Sequence, residues 1–356
     1  MRGGRRRRHR RPRRGGRREC PVRHRRCTRH PSRRPDQGRV QVRRPRRCRL
    51  RPQPARRVAT VVTRASLDWA GCATFRLTVD DVVVFLDAYL DRVPDAAQSG
   101  FTVDAVDRAD FILVGHSHFD HLWGAERIAP RTGATVIGSY ETVRVMAAHG
   151  VPESQLLPVS GGERIRLSDK AVVSVYPSLH SCVWTGPFQQ PDVVCLGDTG
   201  LTLDQQKERF RHLEALIATL SPEARAHALK GRQGERGDGG ALVYLIETPE
   251  GSVLYQDTSG HWSGLMCNLR PDVAILAAAG RGNIDGDPIQ GSLAEFVGRQ
   301  AAFLQPKRVF LSHHDNWLPG FSLTTNTEPI RDALAERAPA TELVETGYMA
   351  GYPLFA

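Results

Sequence analysis

The feature that most constrains this chain is the stretch His116-Ser117-His118-Phe119-Asp120-His121, which holds three imidazoles and a carboxylate within six residues. An apolar run from Ala109 to Gly115 precedes it, and such a run is typical of a buried strand that ends at a glycine. The residues from Leu122 to Ala129 have the pattern of a helix. The stretch is therefore predicted to be a loop between a strand and a helix, at one edge of a sheet.

Imidazole nitrogens and carboxylate oxygens are the ligands that zinc and similar divalent ions take in catalytic sites. His116 and His118 are two residues apart in an extended segment, so both rings can reach one ion from the same side. Asp120 and His121 follow the turn and are expected to point toward a second ion. The alternative is a histidine-rich surface loop without ligands. It is disfavoured because a chain with 13 histidines in 356 residues seldom groups three of them around an aspartate.

The pattern His-x-His-x-Asp-His after an apolar strand resembles the signature of the metallo-β-lactamase fold superfamily. The resemblance covers roughly residues 64 to 350. The stretches Gly71–Phe75 and Ser312–Asp315 are most similar to the branch that contains L-ascorbate-6-phosphate lactonase and N-acyl-phosphatidylethanolamine phospholipase D. The resemblance implies an α/β fold, a four-layer αββα sandwich, that hydrolyses an ester, lactone, amide or phosphodiester.

Further ligands are expected, because a two-ion site needs more of them than one loop supplies, and each candidate follows a predicted strand. His180 would complete a set of three histidines on the first ion. The carboxylate of Asp257 can bridge both ions. His313 would join Asp120 and His121 at the second ion.

Two of these assignments have competitors. Asp198, in the segment Leu196-Gly197-Asp198-Thr199-Gly200, also resembles the bridging aspartate of the family. Asp257 is preferred because the elements around it follow the order of the family. His314 is adjacent to His313, and the first histidine after the strand is preferred.

Three more residues have two interpretations each. Asp87 either supports the metal loop or ends a strand. His261 and Trp262 either line the pocket or pack at the start of a helix.

The charge of the chain is divided between two unlike parts. Residues 1–57 contain 26 arginines, no lysine and two acids, a net charge of +24, whereas residues 58–356 carry a net charge of −12. The first part has almost no apolar residues and is predicted to be a disordered tail. It is an arm for nucleic acid or another acidic surface, a targeting segment, or translated sequence upstream of the true start. The last interpretation is favoured because the globular pattern begins near Val58.

Four tail residues could be read as a zinc site, but their spacing fits no common finger and is attributed to chance. They are Cys20, His24, Cys27 and His30.

Residues 58–356 are predicted to form one hydrolase domain with a helical insertion at about 182–240. Two helices are expected there, one that begins near Thr202 with Gln205 in a capping box and one that begins at Ser221-Pro222. The glycine-rich run 230–240 follows them. We interpret the insertion as a lid or substrate wall, with a peripheral decoration as the alternative.

The cysteines of this domain are widely spaced, which indicates no disulfide framework and a reducing cytoplasm. They are Cys72, Cys182, Cys195 and Cys267. No apolar run is long enough to cross a bilayer. We therefore expect a soluble, cytoplasmic protein.

The predicted activity is hydrolysis with two divalent ions, for which zinc is expected and manganese or iron are alternatives. A hydroxide that bridges the ions would attack a carbonyl carbon or a phosphorus atom of a small molecule or lipid. Asp120 would orient this nucleophile and pass a proton to the leaving group. The alternative is a metallo-nuclease that binds nucleic acid through the tail. The acidic body disfavours it, because a nuclease is expected to have a basic channel.

Overall fold

The computed structural model describes residues 65–182, 191–195, 200, 202–229 and 238–355. The arginine-rich tail 1–57 with its four candidate zinc ligands, the residues around Val58, Asp198 and residues 230–237 lie outside this part of the chain.

The described residues contain strands in both halves of the chain. They are β1 (Ala65–Gly71), β2 (Thr74–Val79), β3 (Val82–Leu86), β4 (Phe111–Leu113), β5 (Thr135–Gly138), β6 (Leu156–Pro158), β7 (Arg164–Arg166), β8 (Val172–Pro177), β9 (Leu242–Glu247), β10 (Ser252–Gln256), β11 (Gly260–His261), β12 (Val273–Ala277), β13 (Asn283–Ile284), β14 (Asp287–Pro288), β15 (Arg308–Ser312), β16 (Glu342–Val344) and β17 (Tyr352–Pro353).

The described helices lie between these strands. They are α1 (Phe119–Leu122), α2 (Ala125–Thr132), α3 (Tyr140–Ala148), α4 (Leu203–Thr219), α5 (Pro222–Ala228), α6 (Ser263–Met266), α7 (Leu293–Leu304) and α8 (Glu328–Arg337). Two 3₁₀ turns lie at Val103–Ala105 and Glu153–Gln155. Among the described helices, none combines the length and apolar character needed to span a membrane.

The strands form two seven-stranded sheets and one small sheet within the described residues. The first has the order β17-β1-β2-β3-β4-β5-β6, with antiparallel pairs from β17 to β3 and parallel pairs from β3 to β6. The second has the order β16-β15-β12-β10-β9-β8-β7, parallel from β16 to β10 and antiparallel beyond it. The third contains β11, β13 and β14.

The two large sheets pack face to face. Successive side chains of a strand point to opposite faces of its sheet, so alternate residues lie in the layer between the two sheets. Val84 and Leu86 of β3 lie in the same buried cluster as Tyr255 of β10 and Ile275 of β12. Phe85, between them in sequence, belongs to a different cluster on the outer face of the first sheet. The main core is therefore the layer between the sheets.

Helices cover the outer face of each sheet. Ile128 of α2 and Met146 of α3 pack in the cluster on the first sheet. Phe296 of α7 and Leu334 of α8 pack in the cluster on the second. The resulting order of layers is the predicted αββα sandwich, and this prediction is confirmed.

The helix after the metal loop differs from its prediction. It was expected to start at Leu122, with Asp120 and His121 before it, but α1 already begins at Phe119 and ends at Leu122. Gly124 separates α1 from α2 with a φ of 127°, and a Cβ there would overlap the carbonyl oxygen of Ala88. This close approach of two backbones divides the expected helix in two.

Both helices expected in the insertion are present. The Thr202 side chain and Gln205 form the predicted capping box at α4. Ser221 caps α5, with Pro222 at its first position. His227 of α5 lies 2.8 Å from the hydroxyl of Tyr89, through Nε2, and its ring contacts Phe119 at 5.9 Å. The second helix of the predicted insertion, α5, therefore packs directly on the loop that carries the histidine motif.

Candidate metal centre

The predicted ligand residues follow strands of both sheets and meet at one end of the sandwich. His116 follows β4 of the first sheet, whereas His180, Asp257 and His313 follow β8, β10 and β15 of the second. Their ligand atoms fall into groups whose members all lie within 4.8 Å of one another. The groups are His116 with His118 and His180, His116 with His121 and Asp257, and Asp120 with His313 and Cys72.

The first group contains imidazoles alone. Nε2 of His116 lies 3.0 Å from Nδ1 of His118. The ring of His180 lies 4.7 Å from that of His116 and 4.8 Å from that of His118. His118 and His180 are half-buried and His116 is buried, so this group lies at the more accessible side of the cluster.

Asp257 directly follows β10 of the second sheet, and its carboxylate contacts two histidines that follow β4 of the first sheet. Its Oδ2 is 2.6 Å from Nδ1 of His116 and 3.2 Å from Nδ1 of His121. Its Oδ1 is buried and has no hydrogen-bond partner among the described residues. A buried carboxylate oxygen without a partner is costly, and a cation would satisfy it.

His121 turns a lone pair toward His313. Burial, followed by the neighbouring imidazoles, lowers the pKa of His121 well below its ordinary value, so the ring is neutral. Its Nδ1 donates to Asp87 at 2.5 Å, which leaves Nε2 unprotonated and 3.2 Å from Nε2 of His313. Two imidazole nitrogens that face each other in this way fit a shared cation.

Asp120 and Cys72 lie beside this pair. Oδ2 of Asp120 is 3.5 Å from Nε2 of His121. Sγ of Cys72 is 3.4 Å from Nδ1 of His313. Burial raises the pKa of Asp120 to about 7, and burial also raises that of Asp257 to about 7. Buried carboxyl groups with raised pKa values are stabilised as carboxylates by a nearby positive charge.

Cys72 was not among the predicted site residues. It lies in the turn between β1 and β2, far from the histidine motif in sequence. The one indication in the sequence is that Cys72 belongs to the stretch Gly71–Phe75, which resembles the family.

The residues with two interpretations are placed as follows. Asp87 accepts hydrogen bonds from the Gly115 amide at 2.8 Å and from His121, so it supports the metal loop. His261 is buried away from the three groups, where it accepts from Gln300 and stacks on Phe296, as in the packing interpretation. Trp262 is exposed.

The neighbouring histidines His313 and His314 face different surroundings. His313 joins the cluster, whereas His314 stacks on Trp69 with ring centroids 4.1 Å apart. The φ of His313 is 61°, a left-handed conformation that turns the two successive side chains in different directions.

A family model described as "Beta-lactamase superfamily domain" matches residues 83–229. A "UPF0173 metal-dependent hydrolase" of Methanopyrus kandleri is 32% identical over 186 residues, which cover 46% of this chain and 78% of that protein. The chain belongs to the UPF0173 metal-dependent hydrolase family.

Other UPF0173 proteins match a shorter part of this chain. The protein of Pyrobaculum arsenaticum is 31% identical over 144 residues, which are 39% of this chain and 63% of that protein. The chain thus spans less than two thirds of that relative's length. Among solved structures, Igni18, a metallo hydrolase of Ignicoccus hospitalis, superposes with a TM-score of 0.52 and 16% identity, over 81% of this chain and 97% of that one. This likeness supports the fold assignment of the UPF0173 chain.

Proposed function

We propose that the chain is a dinuclear metal-dependent hydrolase. The proposal assigns His116, His118 and His180 to the first ion and Asp120, His121 and His313 to the second, with Asp257 between them. Zinc is the proposed metal for both ions, with manganese or iron as alternatives, since imidazole and carboxylate ligands suit several divalent metals.

The observation that carries the proposal is the buried Oδ1 of Asp257, which has no hydrogen-bond partner among the described residues although imidazoles surround its carboxylate. Without a cation, this oxygen loses its hydrogen bonds to water and gains nothing in return. The nitrogens of His121 and His313 that face each other at 3.2 Å support the same conclusion. The donor set of nitrogen and carboxylate oxygen fits divalent metals of the zinc type.

Two divalent cations would lower the pKa of a water molecule at the site and stabilise negative charge on the substrate. The protein would contribute orientation and proton transfer. The carboxyl group of Asp120 lies beside Nε2 of His121, where it can accept a proton from the attacking water and return it to the leaving group. The half-buried His118 and His180 mark the side from which a substrate can approach.

The proposed substrate is a small molecule or lipid with an ester, lactone or phosphodiester bond, as in the branch that contains L-ascorbate-6-phosphate lactonase and N-acyl-phosphatidylethanolamine phospholipase D. The wall beside the motif is apolar, since Phe119, Trp317 and Tyr89 pack together there. We propose that α5 of the insertion completes this wall through His227. The net charge of −12 on residues 58–356 disfavours a nucleic-acid substrate. A cytoplasmic location remains part of the proposal.

The test is a substrate screen of the full chain with zinc or manganese against lactones, phosphodiesters, carboxylic esters and β-lactams. We expect turnover with at least one class, which is lost on treatment with a chelator and restored by the metal. His116→Ala should abolish this turnover, whereas His149→Ala, at the end of α3, should not. Turnover that survives both chelation and His116→Ala would contradict the proposal.

A further inference from the structure

Asp238 is an acidic residue at the metal loop that the proposed mechanism does not use. The residue is half-buried. Its backbone carbonyl oxygen accepts a hydrogen bond at 2.8 Å from the amide of Ser117, which lies between His116 and His118 in sequence. Asp238 belongs to none of the three groups of ligand atoms. It therefore lies beside proposed ligands of the first ion and is not one of them.

The backbone that follows Asp238 is fixed against the same loop. The Leu242 amide donates to the carbonyl oxygen of Gly115 at 2.8 Å. Gly239 has a φ of 74°, and a Cβ there would overlap Oγ of Ser117. The position of Asp238 is thus set by backbone contacts and does not depend on its own carboxylate.

The carboxylate of Asp238 interacts with all three histidines of the first group. Burial raises its pKa, but the interaction with His180 and the hydrogen bond from the Gly240 amide, at 2.9 Å to Oδ1, outweigh this effect. His116 and His118 act in the same direction, and the pKa lies below its ordinary value. Among the described arginines and lysines, none forms an ion pair with this carboxylate. It is an ionised group whose charge no basic side chain of that part of the chain neutralises.

The charge of the proposed ligand set shows what this carboxylate can do. The ionised ligands of the set are Asp120 and Asp257, so two divalent cations would leave the site with a net positive charge. A positive site attracts anionic substrates. Asp238 opposes this attraction from the side of His118 and His180, which is the side that a substrate can approach.

We propose that Asp238 is a specificity-determining residue, which disfavours anionic substrates and favours those with a neutral or positively charged group beside the scissile bond. Like charges brought together in this way are a common means of rejecting wrong ligands. The proposal rests on the proposed dinuclear function and narrows its substrate class. A carboxylic ester or lactone fits the site, whereas a phosphodiester brings a negative charge to the reacting group.

The test measures the binding of three hydroxamates that share one metal-binding group and differ at the far end. β-Alanine hydroxamate ends in an ammonium group, butyrohydroxamate in a methyl group and succinic monohydroxamate in a carboxylate. Their dissociation constants for the zinc-loaded full chain are measured by calorimetry at neutral pH and low ionic strength. We expect the ammonium probe to bind about tenfold more tightly than the carboxylate probe, as for charges a few ångströms apart at a half-buried position.

The variant Asp238→Asn removes the charge and keeps the oxygen that accepts from the Gly240 amide. It should reduce the ratio of the two dissociation constants to about one or below. The matched control is Asp169→Asn, which removes the same charge from an exposed turn between β7 and β8 and should keep the wild-type ratio.

An unchanged ratio in Asp238→Asn would overturn the proposal. A wild-type preference for the carboxylate probe would overturn it too. Both results leave the hydrolase standing, because the probes still bind the metal. A protein that binds no zinc, or a zinc-loaded protein that binds none of the probes, would overturn the proposed function as well.

A second measurement needs no variant. Salt screens charges that lie near solvent, so the wild-type ratio should fall toward one as the ionic strength rises. A ratio that does not change with salt would show that shape, and not the charge of Asp238, separates the probes.

Discussion

The carboxylate of Asp87, directly after β3, accepts a hydrogen bond from Nδ1 of His121 at 2.5 Å. The same carboxylate accepts from the Gly115 amide at 2.8 Å and from the Tyr255 hydroxyl at 2.6 Å. It therefore links the two ends of the metal loop to a strand of the second sheet. Such partners fix the tautomer of a ligand histidine and aim its other nitrogen at the metal.

Replacing Asp87 by asparagine tests this orientation. An amide has one acceptor oxygen and one donor nitrogen, so it cannot accept all three bonds of the carboxylate. We expect Asp87→Asn to weaken metal binding at the second ion about 10- to 100-fold, measured by competition with a chelator. Asp91→Asn, which alters a partly exposed ion pair with Arg127, should leave the affinity unchanged. Equal affinity in both variants would show that Asp87 only ends a strand.

Gly115 allows Asp257 to approach the metal loop. A Cβ at position 115 would overlap the carboxylate of Asp257, although the backbone angles there do not require glycine. Gly115→Ala should displace this carboxylate, lower the metal content and cost about 1–3 kcal/mol of folding stability. Gly347→Ala, where nothing lies within 4 Å of the new Cβ, is the control. A Gly115→Ala protein with full metal content would contradict the bridging position of Asp257.

The ion pair of Arg92 and Asp315 lies under Cys72. Its atoms are 2.6 Å apart and the two side chains are 1% and 6% exposed. Arg92→Met leaves the Asp315 carboxylate buried and without its cation, which should cost about 3–5 kcal/mol in chemical denaturation. Arg127→Met breaks an ion pair whose side chains are 44% and 36% exposed, and should cost at most about 1 kcal/mol. Similar losses of folding stability in the two variants would show that burial does not make the loss of the Arg92–Asp315 pair more costly.

His261 should make the fold sensitive to acid. Burial lowers its pKa to about 4 and outweighs the opposing attraction of Asp285. In the unfolded chain the pKa of His261 is about 6.5. Below that pH the unfolded state therefore binds a proton at His261, whereas the folded state keeps the ring neutral. Stability is therefore lost as the pH falls from 6.5 toward 4, by about 2 kcal/mol at pH 5.

The measurement is urea denaturation at pH 7.5 and pH 5 of the wild type and of His261→Gln. The variant keeps a polar side chain near Gln300 but has no proton to gain. It should lose about 2 kcal/mol less than the wild type between the two pH values. Equal losses in both proteins would show that His261 is not the group responsible.

The fold was predictable where local patterns and the resemblance agree. Local sequence explains the hairpin of β2 and β3, because apolar residues alternate with polar ones in β2 and Asp80-Asp81 is a common turn pair; Asp80 has a φ of 52°. The capping box of Thr202 and Gln205 places the start of α4 at the predicted residue. Both depend on residues that are close in sequence.

The parts that were missed depend on contacts between distant residues. Cys72 is separated from His313 by 241 residues and from Asp120 by 48, so no local pattern joins them. The break between α1 and α2 requires the backbone of Ala88 to lie against Gly124. The predicted ligands could be placed because each follows a strand. A thiol in a hairpin turn offers no such pattern.

The expected ligands follow strands of both large sheets, so ions bound there would cross-link the two sheets at one end of the sandwich. A ligand that binds only the folded chain stabilises it, by about 2.7 kcal/mol when its concentration is a hundredfold above its dissociation constant. In a cell with little zinc, the two sheets would separate more often and expose the chain to cleavage by proteases. The lifetime of the protein should then follow the supply of the metal.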